Sequence, residues 1–264
     1  MPVVYLALAY LLAAVPFALV VTTLFGDGPD VRESGSRNIG ATNVKRLYGW
    51  ELAVPVLLLD MAKGFVPVAL AQLLWPEFGL WWPALVAATA FLGHCYPVYL
   101  EFHGGKGVAT GAGALLAVTP GPTSLAALTW AAVLLLTGRS SVAALTACLA
   151  LVGLVWWLDE AALPVALVLG LGIAWTHLAN IRRLIRGEEA QVVRPVRWRR
   201  SPDDGPTAVD VLSQTPSGSM ASVEAWPGIV DDAAVVVDDG PVVVDDGPVV
   251  VDDGPVVVDD AGEE

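Results

Sequence analysis

Seven apolar runs constrain this chain more than any other feature: Val3 to Phe25, Leu52 to Leu74, Leu80 to Leu100, Val108 to Val118, Ser124 to Thr137, Ser141 to Leu158 and Ala162 to Ile181. A helix needs about 20 mostly apolar residues to cross the hydrocarbon of a bilayer. With no water there to bond to, several such runs in one chain leave an all-helical bundle as the way to satisfy the backbone. Charged residues make up only 16 % of the chain, against roughly 25 % in ordinary soluble domains. A soluble globular protein is thereby excluded.

No basic residue precedes Arg32, so the first run lacks the positive start of a secretory signal and is expected to stay as a span. The fourth and fifth runs are short and separated by Thr119-Pro120-Gly121-Pro122. Proline has no backbone N–H and glycine costs backbone entropy, so this stretch should break a helix. The choice is between seven spans and six with one badly kinked, and charge placement decides it. With seven spans and the N-terminus outside, the inner loops and the inner end carry 13 of the 14 basic residues. The remaining one, Lys63, lies within a span, and the outer loops hold only Glu77, Asp159 and Glu160. Fusing the two short runs would put Arg139 and the basic run from Arg182 to Arg200 outside, against the positive-inside rule. The expected fold is an all-α integral membrane protein with seven transmembrane helices, N-terminus out and C-terminus in the cytoplasm. It is expected in the plasma membrane, with a membrane domain over 1–190 and a tail over 191–264.

The formal charge of −13 belongs to that tail, because residues 201–264 hold 16 of the 27 acidic residues and no Lys or Arg. Val-Val-Val-Asp-Asp-Gly-Pro recurs from Val235, Val242 and Val249, with a shortened copy at Val256. Three consecutive valines cannot make a coiled-coil seam, and the Gly-Pro of each copy opposes helix. A self-repelling disordered acidic tail with no identifiable chemistry is expected. The two cysteines, Cys95 and Cys148, sit in separate apolar runs and read as small buried residues, not as a disulfide framework or metal cluster.

Function is sought where polarity persists despite the cost of burying it. A charge at the centre of a span costs about 2.5–3.5 kcal/mol on insertion scales. Asp60 and Lys63 are three apart in the second span and therefore share a helix face. They form either a self-satisfied ion pair or a supporting pair in which Lys63 helps hold an anionic ligand. The first inner loop, Ser34 to Arg46, contains Gly35, Ser36, Arg37, Asn38, Gly40, Thr42, Asn43, Lys45 and Arg46. Small residues let backbone N–H groups close on an anion, the polar side chains add donors, and the basic ones add charge. The spacing is not that of a Walker A loop. The second inner loop runs Phe102-His103-Gly104-Gly105-Lys106-Gly107 into the fourth span and follows Gly93-His94-Cys95-Tyr96-Pro97. Three glycines around one lysine at a helix N-terminus make another close-approach anion site. Near the inner end of the last span, His177 and Asn180 are three apart and are expected on one face.

All three regions reach the cytoplasmic side in this topology. A transporter of an organic phosphate, or a protein binding a lipid phosphate, would use the same ingredients. A transporter would more often keep its polar residues mid-membrane on broken helices in repeated halves. No repeat is visible among the spans, and the gathering of polarity at the inner ends favours an enzyme at the cytoplasmic interface.

These three segments resemble the three signatures of the membrane acyl-phosphate:glycerol-3-phosphate acyltransferases of the PlsY type. Ser34 to Val44 is similar to the first, Gly93 to Pro97 through Gly104 to Thr110 to the second, and His177 to Leu184 to the third. The resemblance covers about residues 1 to 190 and leaves the tail without a counterpart. It implies transfer of a fatty acyl group from acyl-phosphate to the 1-hydroxyl of glycerol 3-phosphate, giving lysophosphatidate and phosphate. It also implies Ser36 and the backbone around Gly35, Asn38 and Gly40 at a substrate phosphate, with Arg46 and Lys106 on glycerol phosphate. His177 and Asn180 would sit at the acyl-transfer centre. Thr42, Asn43, Gly104, Gly105 and Gly107 complete the expected binding set, and Asp60, Lys63 and His94 support it. Arg37 adds a charge beside Ser36 where the family usually has glycine or another residue. The expected partners are the two substrates and membrane lipid, with no metal, cofactor, nucleic acid or obligate protein partner.

Overall fold

The computed structural model describes residues 2–193, so the expectation for the acidic tail lies outside the described residues. Nine α-helices follow one another with no strand among the described residues: α1 Pro2–Ala14, α2 Phe17–Phe25, α3 Ala41–Leu74, α4 Trp81–Cys95, α5 Val108–Val118, α6 Pro120–Thr137, α7 Ser140–Leu158, α8 Leu163–Thr176 and α9 Leu178–Ile185. Four of the described helices are long and apolar enough to cross a membrane, and six spans result if α1 with α2, and α8 with α9, each count as one bent span. The remaining apolar helix, α5, has 11 residues, short of the length that crosses a bilayer alone.

Breaks account for the differences from the sequence expectation. The first run bends by 41° between α1 and α2, where Pro16 cannot continue the hydrogen-bond ladder. The Val15 carbonyl at that break accepts from Lys63 Nζ at 2.9 Å. The last run bends by 57° between α8 and α9, with His177 as the hinge residue. The second span begins earlier than expected, because Ala41 to Tyr48 is already helical and Gly49, at φ 77°, bends the chain into the apolar part. The expected break over Thr119 to Pro122 narrows to Thr119, since α6 starts at Pro120. Both prolines lie in the first turn, where a missing N–H leaves no intrahelical bond unmade.

Packing centres on the crossing of α3 and α5. A Cβ on Gly64 would run into the Thr110 carbonyl oxygen, and one on Gly113 into that of Met61. Two backbones thus touch directly, as small residues allow in helix pairs that have no hydrophobic drive to associate in lipid. Around this crossing, Val68, Val86, Leu115, Val155 and Leu169 are buried in one continuous core. A smaller cluster of Ala18, Val31, Ile39, Val44 and Val56 seats α2 and the first loop on α3. The close crossing fixes the start of α5, and with it Lys106, against the face of α3 that carries Asp60.

Candidate active site

The first loop is organised by one side chain. Asn43, fully buried, accepts from the Ser36 N–H at 2.8 Å through Oδ1. Its Nδ2 donates to the carbonyls of Val31 at 2.9 Å and Ser34 at 3.1 Å. The loop is tied at both ends to the start of α3, which leaves the Ser36 hydroxyl and the Arg37 side chain exposed. Arg37 is in the left-handed region at φ 56°, a sparsely populated conformation for a residue with a Cβ. Thr42 Oγ1 lies 3.1 Å from Ser140 Oγ at the start of α7, joining the loop to the far wall of the site.

The second loop is held from below. Gly104 N–H donates to the Cys95 carbonyl and Gly105 N–H to that of His94, each at 3.1 Å. The Lys106 carbonyl accepts from Thr176 Oγ1 at 2.9 Å. Burial pushes the Lys106 ammonium down to about 8; Glu189 works against that shift, while Arg183 and Arg46 add to it. The hinge supplies the third wall. His177 and Asn180 are 3 % and 4 % exposed, and His177 Nδ1 lies 2.8 Å from the Ile173 carbonyl oxygen. A carbonyl only accepts, so Nδ1 carries the hydrogen and the neutral ring keeps its lone pair on Nε2.

These walls enclose one cavity of about 820 Å³. At its polar end are Gly35, Ser36, Asn38, Gly40, Thr42, Arg46, Lys106, Gly107, His177 and Asn180, with Asp60 and His94 further along. The rest is an apolar sleeve among α3, α5, α6 and α7, lined by Leu57, Met61, Leu115, Ala144, Ala147 and Leu151 among others. Four of the expected residues do not line it. Asn43 serves the loop from within, and Gly104 and Gly105 are bonded to the end of α4. Lys63 is turned toward Asp60 Oδ1 at 2.9 Å and the α1–α2 break. Sequence reasoning did not single out Ser140, Ser141, Arg183 or Glu189, which also line the cavity. Glu189 accepts from Asn180 Nδ2 at 2.6 Å and from Arg183 Nε at 2.7 Å. Burial opposes its ionisation, but its polar neighbours Ser141, Asn180 and Arg183 outweigh burial and hold its carboxyl below the usual range. Among the described residues no group of three or more His, Cys, Asp or Glu side chains is placed to hold a metal ion.

A bundle of apolar helices long enough to cross a membrane several times, with a cavity that carries cationic and polar side chains beside an apolar sleeve, defines a multi-pass membrane protein. The glycerol-3-phosphate acyltransferase family model matches residues 3–187. A glycerol-3-phosphate acyltransferase of Erythrobacter litoralis is 42 % identical over 194 residues, covering 72 % of this chain and 95 % of that one. Another, from Pseudomonas fluorescens, is 48 % identical over 182 residues, covering 69 % and 94 %. The fold is similar to the crystal structure of PlsY, an integral membrane glycerol 3-phosphate acyltransferase, in its glycerol 3-phosphate form. The TM-score is 0.67 and the identity 36 %, over 72 % of this chain and 94 % of that one. The lysophosphatidic acid form of PlsY superposes with a TM-score of 0.65. The chain belongs to the glycerol-3-phosphate acyltransferase family, a family of enzymes.

Proposed function

We propose that this protein transfers an acyl group from acyl-phosphate to the 1-hydroxyl of glycerol 3-phosphate, releasing lysophosphatidate and inorganic phosphate. The observation that carries the reading is a cavity that joins cationic and polar side chains to an apolar sleeve. One substrate of the reaction is a small phosphate ester and the other a phosphate on a long chain. Lys106 and Arg46 supply the charge for the phosphates, Ser36, Asn38 and Thr42 supply donors, and the sleeve takes the acyl chain.

Acyl-phosphate is a mixed anhydride with a good leaving group, so the site has mainly to align the hydroxyl and stabilise developing charge. The hydroxyl oxygen attacks the carbonyl carbon, the bond from that carbon to the phosphate oxygen breaks, and phosphate departs. The hydroxyl proton ends on the departing phosphate, taken either directly by a phosphate oxygen of the donor or through His177 Nε2, which the bond at Nδ1 leaves with its lone pair. Lys106, with the other cations, offsets the charge that builds as the phosphate leaves.

Seven membrane passes, with α5 completing the count as a short pass, belong to the same reading. The N-terminus is placed outside and the polar end of the cavity at the cytoplasmic face. The support is that the basic residues of the inner loops surround that end. The donor test uses protein reconstituted in lipid with labelled glycerol 3-phosphate and either palmitoyl-phosphate or palmitoyl-CoA. Lysophosphatidate is expected from palmitoyl-phosphate alone, and Ser36→Ala, Lys106→Ala and Asn180→Ala should each lose it. Product formed equally from the thioester would refute the donor assignment.

A further inference from the structure

The cavity has a fourth wall that none of the three sequence segments supplies. Helix α9 is closed two residues past its end by Gly187, whose φ of 76° sits in the left-handed region that glycine adopts without strain. Glu188 N–H bonds back to the Arg183 carbonyl at 2.8 Å and Gly187 N–H to that of Leu184 at 3.1 Å, the double closure of a Schellman turn. The turn sends residues 188–192 back across the polar end of the cavity. Val192 N–H donates to the Gly138 carbonyl at 2.7 Å, Lys45 Nζ to the Val192 carbonyl at 2.5 Å, and Arg139 Nε to the Glu189 carbonyl at 3.0 Å. These anchors come from two separate parts of the bundle, the α6–α7 connection and the start of α3, so the strap is held independently of the Glu189 side chain.

That side chain meets Asn180. A carboxylate accepts hydrogen bonds and cannot donate, so the half of the Asn180 amide that faces Glu189 is the NH₂ group. The amide oxygen, Oδ1, is thereby turned the other way. It is buried without a hydrogen-bond partner on a residue that lines the cavity. An unpaired buried acceptor is costly, and a hydroxyl hydrogen of a bound substrate is what it lacks; a phosphate oxygen, itself an acceptor, cannot supply one.

We propose that Glu189 is a positioning residue: it holds Asn180 by Nδ2 and presents Oδ1 to the cavity as the acceptor for a hydroxyl of glycerol 3-phosphate. The site is then complete only when the strap lies across it. The inference rests on the acyl-transfer reading above, and wild-type transfer is therefore measured first.

The test exchanges donor and acceptor between the two residues. Asn180→Asp sets carboxylate against carboxylate and should lower kcat by about a hundredfold, the scale of a misplaced substrate. Glu189→Gln lets either end of its amide face Asn180, so it should lower kcat and raise KM for glycerol 3-phosphate while KM for acyl-phosphate stays within about twofold. Combining the two restores one donor facing one acceptor at the same net charge, and should recover at least about tenfold over Asn180→Asp alone, a coupling expected of side chains in direct contact. Glu189→Asp, shorter but still an acceptor, should retain more activity than Glu189→Gln. Thermal unfolding of each variant in detergent shows that it is folded. An active wild type in which Glu189→Gln fails to rescue Asn180→Asp, or in which the KM values of both substrates rise together, overturns the role of Glu189. A folded wild type that transfers no acyl group overturns the reaction itself and the inference with it.

Discussion

The ion pair buried in the membrane domain should behave as a unit, and breaking one half should cost more than removing both. Asp60 Oδ1 and Lys63 Nζ are 2.9 Å apart, with each side chain 2 % exposed. Lys63 also donates to the Val15 carbonyl at the α1–α2 break. In Lys63→Met the orphaned carboxyl must stay charged without its partner or take up a proton at neutral pH. Either route costs on the order of 3–5 kcal/mol. His94 Nδ1, 3.7 Å from Asp60 Oδ1, can turn a hydrogen toward the carboxylate and places this variant at the lower end. Asp60→Leu strands an ammonium whose remaining acceptor is one carbonyl, which places it at the upper end. Asp60→Leu with Lys63→Met leaves no buried charge. Its cost reduces to the lost bond at Val15 and imperfect packing, about 1–2 kcal/mol. Denaturant unfolding in mixed micelles, followed by the fluorescence of the ten tryptophans, measures all three. If the singles simply add, the double variant loses about 6–10 kcal/mol. That result would refute mutual compensation and assign each charge a separate partner.

Three further outcomes follow from the geometry. Lys106, pushed down to about 8 by burial, loses its proton in the empty site as pH rises through that value. Calorimetric affinity for glycerol 3-phosphate should therefore be full below pH 8 and fall above it; Lys106→Arg, which stays charged, should abolish the decline, and its persistence with the same midpoint would clear Lys106. Asn43→Ala strips the first loop of three hydrogen bonds and should cost about 1–3 kcal/mol in stability together with most of the activity, whereas unchanged KM values would show that the loop holds its shape without Asn43. Ala144, 2 % exposed on the wall of the sleeve, should when changed to Phe shift donor preference from palmitoyl- toward octanoyl-phosphate in a competition assay, and an unaltered ratio would mean that the chain runs elsewhere.

Most of the helices and the three polar segments were legible because the burial of apolar side chains and the placement of lysine and arginine are properties of composition along the chain. What the residues alone did not reveal depends on contacts between distant segments. Pro120 and Pro122 read as breakers, yet at the start of a helix they are tolerated, and only the position of Thr119 decides which applies. Ala41 to Tyr48 reads as polar loop because its helix is favoured by packing of Val44 against α2 and the first loop. Asn43 and Ser36 look alike as polar loop residues, although one is buried in the frame and the other is exposed in the cavity. Lys63 was readable either as a ligand group or as half of an ion pair, and the break at Pro16 supplies the carbonyl toward which it turns. Glu189 carries no local pattern at all: a glutamate beside a basic run reads as solvated surface. Gly187 was the available signal, because a glycine after a helix with arginines in its last turn marks a C-cap. Where the turn leads was decided by Gly138, Arg139 and Lys45, some 50 to 150 residues away.

Acyl transfer from acyl-phosphate to glycerol 3-phosphate inside the cavity is best tested by the inorganic phosphate that purified protein in lipid releases from palmitoyl-phosphate, with and without glycerol 3-phosphate. Release should require the acceptor and match lysophosphatidate mole for mole. Release that is indifferent to glycerol 3-phosphate, or none at all from folded protein, would contradict it.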